Sequence, residues 1–162
     1  DGGAGDDTIN GTANADTLMG GAGNDLINVT AGDDSLDGGE GIDALNISAA
    51  TNDVIIDLST DWESTLTVTG LGSNTLTNFE GVLAGSGDDA ITGSDGDDVI
   101  GGGDGVDTLI GGEGNDILSF ANITAAVNVD LTQNLILNDG FSNEETISGF
   151  ETVIGSSAND TI

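Results

Sequence analysis

The sequence predicts an all-β fold, a parallel solenoid, from three observations. A nine-residue unit recurs without a gap, the first six positions of each copy are rich in glycine and aspartate, and the eighth is always Ile or Leu. A fixed short period fixes an architecture, because each unit can bury its apolar face only against the next one. The Gly/Asp-rich positions make a turn, and the last three make a short strand with one inward side chain. Two nonads then close one coil.

The elements follow in order. GGAGDDTIN (2–10), GTANADTLM (11–19), GGAGNDLIN (20–28), VTAGDDSLD (29–37) and GGEGIDALN (38–46) form a first run. AGSGDDAIT (84–92), GSDGDDVIG (93–101), GGDGVDTLI (102–110) and GGEGNDILS (111–119) form a second, and GSSANDTI opens another at Gly155. The segments expected are therefore a repeat run over 1–46, an insert over 47–83, a second run over 84–119, a second insert over 120–154 and the start of a further run over 155–162, all in one continuous solenoid. Position six is Asp in every copy: Asp7, Asp16, Asp25, Asp34, Asp43, Asp89, Asp98, Asp107, Asp116 and Asp160. Position four is Gly except at Asn14 and Ala158, which suits a turn with positive φ or a close backbone approach.

The inserts repeat one another. DALNISAATNDVIIDLST (43–60) aligns with DILSFANITAAVNVDLTQ (116–133), setting Asp57 against Asp130. TLTNFEGVLAGSGDDAI (75–91) aligns with TISGFETVIGSSANDTI (146–162), setting Phe79 against Phe150 and Glu80 against Glu151. Alternation at Val54, Ile56, Leu58 and at Val127, Val129, Leu131 predicts half-buried strands that continue the solenoid or widen it, with the two phenylalanines in the core. Asp57, Asp130, Glu80 and Glu151 read equally as extra ligands where insert meets roll or as solvated strand ends. Trp62, in the polar stretch STDWEST, has no counterpart in the second insert and reads as a partly buried loop anchor.

Charge then decides the partner. The 162 residues hold 30 Asp and Glu and no Lys, Arg or His, a formal charge of -30. Nucleic acid and anionic membranes are repelled, and a cation is the natural partner. Without Cys or His, only hard oxygen ligands remain. No apolar run is long enough to insert into a bilayer, and no charged segment followed by an apolar one marks a leader, so the chain reads as an internal slice of a longer protein.

The period also stacks the charges. Aspartates 18 residues apart, such as Asp7, Asp25 and Asp43, fall on one edge at the spacing of neighbouring strands, about 4.8 Å. Two carboxylates about 5 Å apart repel by about 3 kcal/mol at an effective dielectric near 20, and by about 1 kcal/mol when well solvated. Five such pairs fall inside the two runs: Asp7 with Asp25, Asp16 with Asp34, Asp25 with Asp43, Asp89 with Asp107, and Asp98 with Asp116. A core of one Ile or Leu per nonad does not offset that repulsion. Ca²⁺ reverses its sign, since it takes six to eight oxygens from carboxylates and carbonyls in irregular geometry, whereas Mg²⁺ demands a tight octahedron and keeps its water.

GGAGNDLIN and GGEGNDILS fit the motif G-G-x-G-x-D-x-U-x at every defined position, and the chain thereby resembles the RTX (repeats-in-toxin) family. The resemblance implies a right-handed parallel β-roll binding several Ca²⁺ ions. It implies ions shared by the position-six Asp of successive same-edge turns: Asp7, Asp25 and Asp43 on one edge, Asp16 and Asp34 on the other, Asp89 with Asp107, Asp98 with Asp116, and Asp160 in the next run. The remaining ligands it implies are carbonyls of the turn glycines Gly3, Gly5, Gly21, Gly23, Gly39, Gly41, Gly85, Gly87, Gly103, Gly105, Gly112 and Gly114. Acids at position five, Asp6, Asp33, Asp88 and Asp97, read as solvated surface charge.

Catalysis finds little support, because without His, Cys, Lys, Arg or Tyr the usual bases and nucleophiles are missing. An ice-binding face would need a regular outward Thr ladder, and position three runs Ala4, Ala13, Ala22, Ala31, Glu40, Ser86, Asp95, Asp104, Glu113. Two functional classes remain. One is a calcium-binding structural segment of a large secreted bacterial surface protein of adhesin, surface-layer or filament type, in contact with flanking repeats or neighbouring subunits. The other is a calcium-triggered folding and secretion module of an RTX exoenzyme or toxin. Both place the chain outside the cell, and the recurring insert favours the first.

Overall fold

A computed structural model describes residues 1–59, 64–68 and 71–162, so Trp62 lies outside the described residues. The first run supplies β1 (Gly3–Ala4), β2 (Thr8–Asn10), β3 (Thr17–Ala22), β4 (Leu26–Asn28), β5 (Ser35–Glu40) and β6 (Ala44–Asn46). The first insert supplies β7 (Ile55–Asp57), β8 (Ser64–Val68), β9 (Gly72–Thr77) and β10 (Gly81–Leu83). β11 (Ala90–Thr92), β12 (Val99–Gly101), β13 (Thr108–Ile110) and β14 (Ile117–Ser119) form the second run. β15 (Asn128–Asp130), β16 (Leu135–Asn138), β17 (Glu145–Ser148) and β18 (Thr152–Ile154) form the second insert. No helix among the described residues is long and apolar enough to cross a membrane.

The period of two nonads per coil sets the register. Thr8 pairs with Leu26 and Leu26 with Ala44, each step 18 residues, in parallel strands. One face is a single seven-stranded sheet in the order β18-β14-β12-β10-β6-β4-β2, and it runs through both inserts because Leu45 pairs with Val82 and Leu118 with Val153. The other face consists of β1-β3-β5-β9-β8 and β7-β11-β13-β17-β16-β15.

The inserts widen that second face and leave the first unchanged. Each replaces one short strand by a three-stranded excursion. Its last strand, β9 or β17, stacks in parallel on the preceding coil at β5 or β13. Its middle strand runs antiparallel, β8 against β9 and β16 against β17. Its first strand lies towards the following coil, where β7 pairs with β11 and Asn128 bridges Thr161. Both inserts therefore share the pairing of their middle and last strands, while β15 also pairs antiparallel with β16 and no such β7–β8 pairing is present among the described residues.

The core is a narrow stack between the faces. Ile27, Leu36, Leu45, Ile91, Ile100, Leu109 and Leu118, all at position eight, are buried, and Leu76, Val82 and Ile147 carry the stack through the inserts. Each such side chain contributes about 1.5–3 kcal/mol by leaving water. Phe79 and Phe150 are buried as expected, and in β7 Ile56 is buried while its neighbour Ile55 is 74% exposed. Turn glycines let successive coils touch. Gly21 and Gly39 take φ of 116° and 111°, and a Cβ on either would collide with the carbonyl of the glycine one coil earlier, Gly3 or Gly21.

Candidate metal centre

Position six sits where turn becomes strand, and both backbone groups of its aspartate are fixed by neighbouring coils. Asp7 C=O accepts from Leu26 N–H at 2.9 Å, and Asp25 C=O from Ala44 N–H at 2.8 Å. The backbone N–H of each aspartate donates to the carboxylate one coil further on: Asp7 to Asp25 Oδ1 at 2.8 Å, Asp25 to Asp43 Oδ1 at 2.7 Å, Asp89 to Asp107 Oδ1 at 2.8 Å and Asp98 to Asp116 Oδ1 at 2.9 Å. On the other edge of the first run, Asp16 N–H donates to Asp34 Oδ1 at 2.9 Å.

The ladder uses one carboxylate oxygen and leaves the other bare. Oδ2 of Asp7, Asp25, Asp34, Asp43, Asp89, Asp107 and Asp116, and Oδ1 of Asp98, are buried without a hydrogen-bond partner. These oxygens border a cradle that only glycine leaves open. A Cβ on Gly20 would strike Asp25 Oδ2 and the carbonyl of Gly38, and one on Gly111 would strike Asp116 Oδ2 and the carbonyl of Gly149. A bare carboxylate oxygen and a backbone carbonyl thus face the same small space. That donor set is all oxygen and fits a hard cation. Among the described residues no three acidic side chains converge on one point, so carbonyls must complete any such ligand set.

Not all ten aspartates are alike. Thr12 N–H and hydroxyl donate to Asp16 Oδ2 at 2.7 and 2.9 Å, and Ser94 does the same for Asp98 Oδ2 at 2.7 and 3.0 Å. Ser156 N–H and hydroxyl engage Asp160 at 2.8 and 2.7 Å, and Asp160 Oδ1 also accepts from Val127 N–H. At Thr12, Ser94 and Ser156 a position-two hydroxyl therefore answers the carboxylate locally, whereas Thr30 donates to Thr12 C=O and leaves Asp34 Oδ2 bare. The twelve turn glycines named from the sequence divide too. Gly3, Gly5, Gly21, Gly23, Gly39, Gly41, Gly103, Gly105, Gly112 and Gly114 have positive φ. Gly85 and Gly87 instead meet the chain of Ala50 and Asn52 so closely that no Cβ fits.

Position five is solvated surface charge, as expected, and also forms a second ladder. Asp6 Oδ1 accepts from Asn24 N–H, Asp88 Oδ1 from Val106 N–H and Asp97 Oδ1 from Asn115 N–H, all at 2.9 Å. Asp33 likewise accepts from Ser73 N–H at 2.9 Å. The alternating backbone of the turn aims one acid up the stack and the next down it. Asp6, Asp88 and Asp97 remain exposed, so water still reaches them.

The insert acids separate cleanly. Glu80 and Glu151 take position-six places: Asp43 N–H donates to Glu80 Oε2 and Asp116 N–H to Glu151 Oε2, both at 2.9 Å. Asp57 and Asp130 stand outside the ladders and cap their own turns, accepting from Ser59 N–H at 3.0 Å and Thr132 N–H at 2.9 Å. Two further residues stand at position-six places without a G-G-x-G run before them and escape a motif search, and only the first makes the ladder bond. Asn74 Oδ1 accepts from Asp34 N–H at 2.9 Å, and Glu145, aligned with Asn74, precedes Thr146, whose N–H reaches Asp107 C=O at 3.1 Å. The alignment of TLTNF with TISGF, extended one residue back, is the signal that brings them together.

Burial without counter-charge raises the acids' affinity for protons. Desolvation pushes Asp89 up to about 7 and Asp98 and Asp107 to about 6, helped by the charge of Asp107 on Asp89, of Asp116 on Asp98 and of Asp139 on Asp107. It also raises Asp43, Asp116 and Glu80. Stacked acids in this state attract either protons or a metal ion.

The RTX calcium-binding nonapeptide repeat family matches residues 1–27, 10–45 and 83–118, together half of the chain. The chain belongs to the RTX calcium-binding nonapeptide-repeat family. It is accordingly a calcium-binding RTX-type segment, and the matched residues are the two nonad runs while the inserts lie between and beyond them. No curated protein matches this RTX chain. Proteins with RTX repeats are typically secreted by bacteria.

Proposed function

We propose that this RTX chain is a calcium-stiffened structural segment of a large secreted bacterial surface protein, of adhesin, surface-layer or filament type, and has no catalytic activity of its own. Its ions are held by the bare oxygens of Asp7, Asp25, Asp34, Asp43, Asp89, Asp98, Asp107 and Asp116 together with carbonyls of the turn glycines. Asp16 and Asp160 contribute less, because Thr12 and Ser156 already engage their carboxylates. Each ion joins two coils and removes their repulsion, so that stiffness along the roll follows the calcium level.

The observation that supports a structural role is the recurrence of a whole module. A run of nonads followed by a three-stranded excursion occurs twice, each time with an antiparallel middle strand on a parallel last strand, at a separation of 71 residues between Thr75 and Thr146. Repeated modules joined by one unbroken sheet make a rod that lengthens by addition. The complete reading frame of the gene tests this. Further units of nonads plus insert, each with a DL strand and an FE pair, are expected. A catalytic domain directly upstream and a short terminal export segment soon after Ile162 would instead make the chain the folding and secretion module of an exoenzyme.

A further inference from the structure

The acid that the ladders leave least satisfied is outside the repeats. Glu145, at the start of β17, is 2% exposed, and neither Oε1 nor Oε2 has a partner. Its charged neighbours are Asp107, whose Oδ2 is also bare, and Asp139, both buried. No basic side chain exists in the sequence to answer these three carboxyl groups. Leaving such groups bare and charged in the interior is far more costly than pairing them.

The loop around Glu145 is built and anchored. Asp139 accepts from the N–H groups of Phe141 and Asn143 at 2.8 and 2.9 Å. Asn143 Nδ2 donates to Asp139 Oδ2 at 3.1 Å and to Asp104 Oδ1 of the roll at 3.0 Å. Those bonds occupy Asp139 and fix the loop on the turn that carries Asp107. The open oxygens are thus both of Glu145 and one of Asp107.

The first insert supplies an internal comparison. Its residue at the aligned position is Asn74, fully buried, whose Oδ1 accepts from Asp34 N–H and whose Nδ2 donates to Leu71 C=O at 3.2 Å. A neutral amide there satisfies itself without any ligand. The same backbone place therefore carries a self-sufficient residue in one insert and an unanswered carboxylate in the other.

We propose that Glu145 and Asp107 form a Ca²⁺ site at the junction of the second insert with the roll, Glu145 binding through both oxygens and Asp107 through Oδ2, with Asp139 adding negative field from behind. The site clamps the second insert to its coil and has no equivalent in the first. It rests on the reading of Asp107 as a ladder ligand, and a bidentate glutamate with carbonyl and water oxygens is a normal calcium set.

Native mass spectrometry of the full chain in Ca²⁺, with Glu145→Asn and Glu145→Gln, tests it. Both variants are expected to carry one Ca²⁺ fewer than the wild type, and Glu145→Asn to keep the fold in saturating Ca²⁺, since it imports the solution found at Asn74. An unchanged ion count in either variant overturns the proposal and leaves Glu145 a protonated core acid. No calcium on the wild type at all would overturn the ladder reading itself, a separate failure. Should neither variant fold, anomalous scattering from wild-type crystals grown in Ca²⁺ decides: an ion peak between Glu145 and Asp107 is expected, and ordered density there without a peak rejects the site.

Discussion

Asp25 divides its two carboxylate oxygens between backbone and cradle, and that division predicts how substitutions behave. Oδ1 holds Asp7 N–H, so Asp25→Ala leaves a part-buried donor unpaired at a cost of about 1–3 kcal/mol. It also strips a ligand from the ions on both sides of its coil, and titration calorimetry should show fewer ions bound. Asp6→Ala loses a hydrogen bond that water can replace, about 0.5–1.5 kcal/mol, with the ion count unchanged. Equal loss of calcium from the two variants would show that positions five and six have been given the wrong roles. Protons compete for the same oxygens. Asp89, Asp98 and Asp107 are raised in the folded chain from 3.8 to about 7, 6 and 6, so the protonated fold is favoured. The resulting stability is complete below 3.8 and is lost as pH rises through 6 to 7. In chelator the chain should therefore gain β-structure at pH 4 that it lacks at pH 8, whereas in Ca²⁺ the metal affinity should fall as the pH drops below 6. Chelated protein with no more β-structure at pH 4 than at pH 8 would contradict this.

At the scale of elements, the nonads were readable because turn, strand and charge recur in phase. Position six, position eight and the 18-residue register all follow from the period, as Asp25, Ile27 and the pairing of Thr8 with Leu26 illustrate. The inserts lose that period. Alternation marked Ile56 as core and the alignment marked Phe79 and Phe150, but nothing local states that β8 and β16 turn back antiparallel on β9 and β17. Glu145 and Asn74 were hidden for a related reason: a ladder place is defined by what stacks on it, and no glycine turn announces theirs. The exposure of the position-five acids was legible, but their hydrogen bonds to the next coil were not. Thermal melts in saturating Ca²⁺ check the element boundaries. Phe79→Ala and Phe150→Ala should each cost about 3–5 kcal/mol, and Ile56→Ala about 2–5 kcal/mol. Ile55→Thr, on the open side of the same strand, should stay within about 0.5 kcal/mol. A loss at Ile55 as large as at Ile56 would mean that the face of β7 is reversed.

Across the whole molecule, a charge of -30 with no basic residue is set against a core one side chain deep. Stacked carboxylates repel by about 1–3 kcal/mol per pair, and a domain's entire stability is only about 5–15 kcal/mol. Folding of this chain is thus coupled to binding of a cation. Coupled folding of this kind raises stability with each decade of free ion and leaves the apo chain without a packed state. Circular dichroism through a calcium titration tests this most directly. The chain is expected to be disordered in excess chelator and to become β-rich as free Ca²⁺ reaches about 0.1–1 mM, the range of extracellular calcium modules. A fully β-rich spectrum in excess chelator at neutral pH would contradict calcium-driven folding.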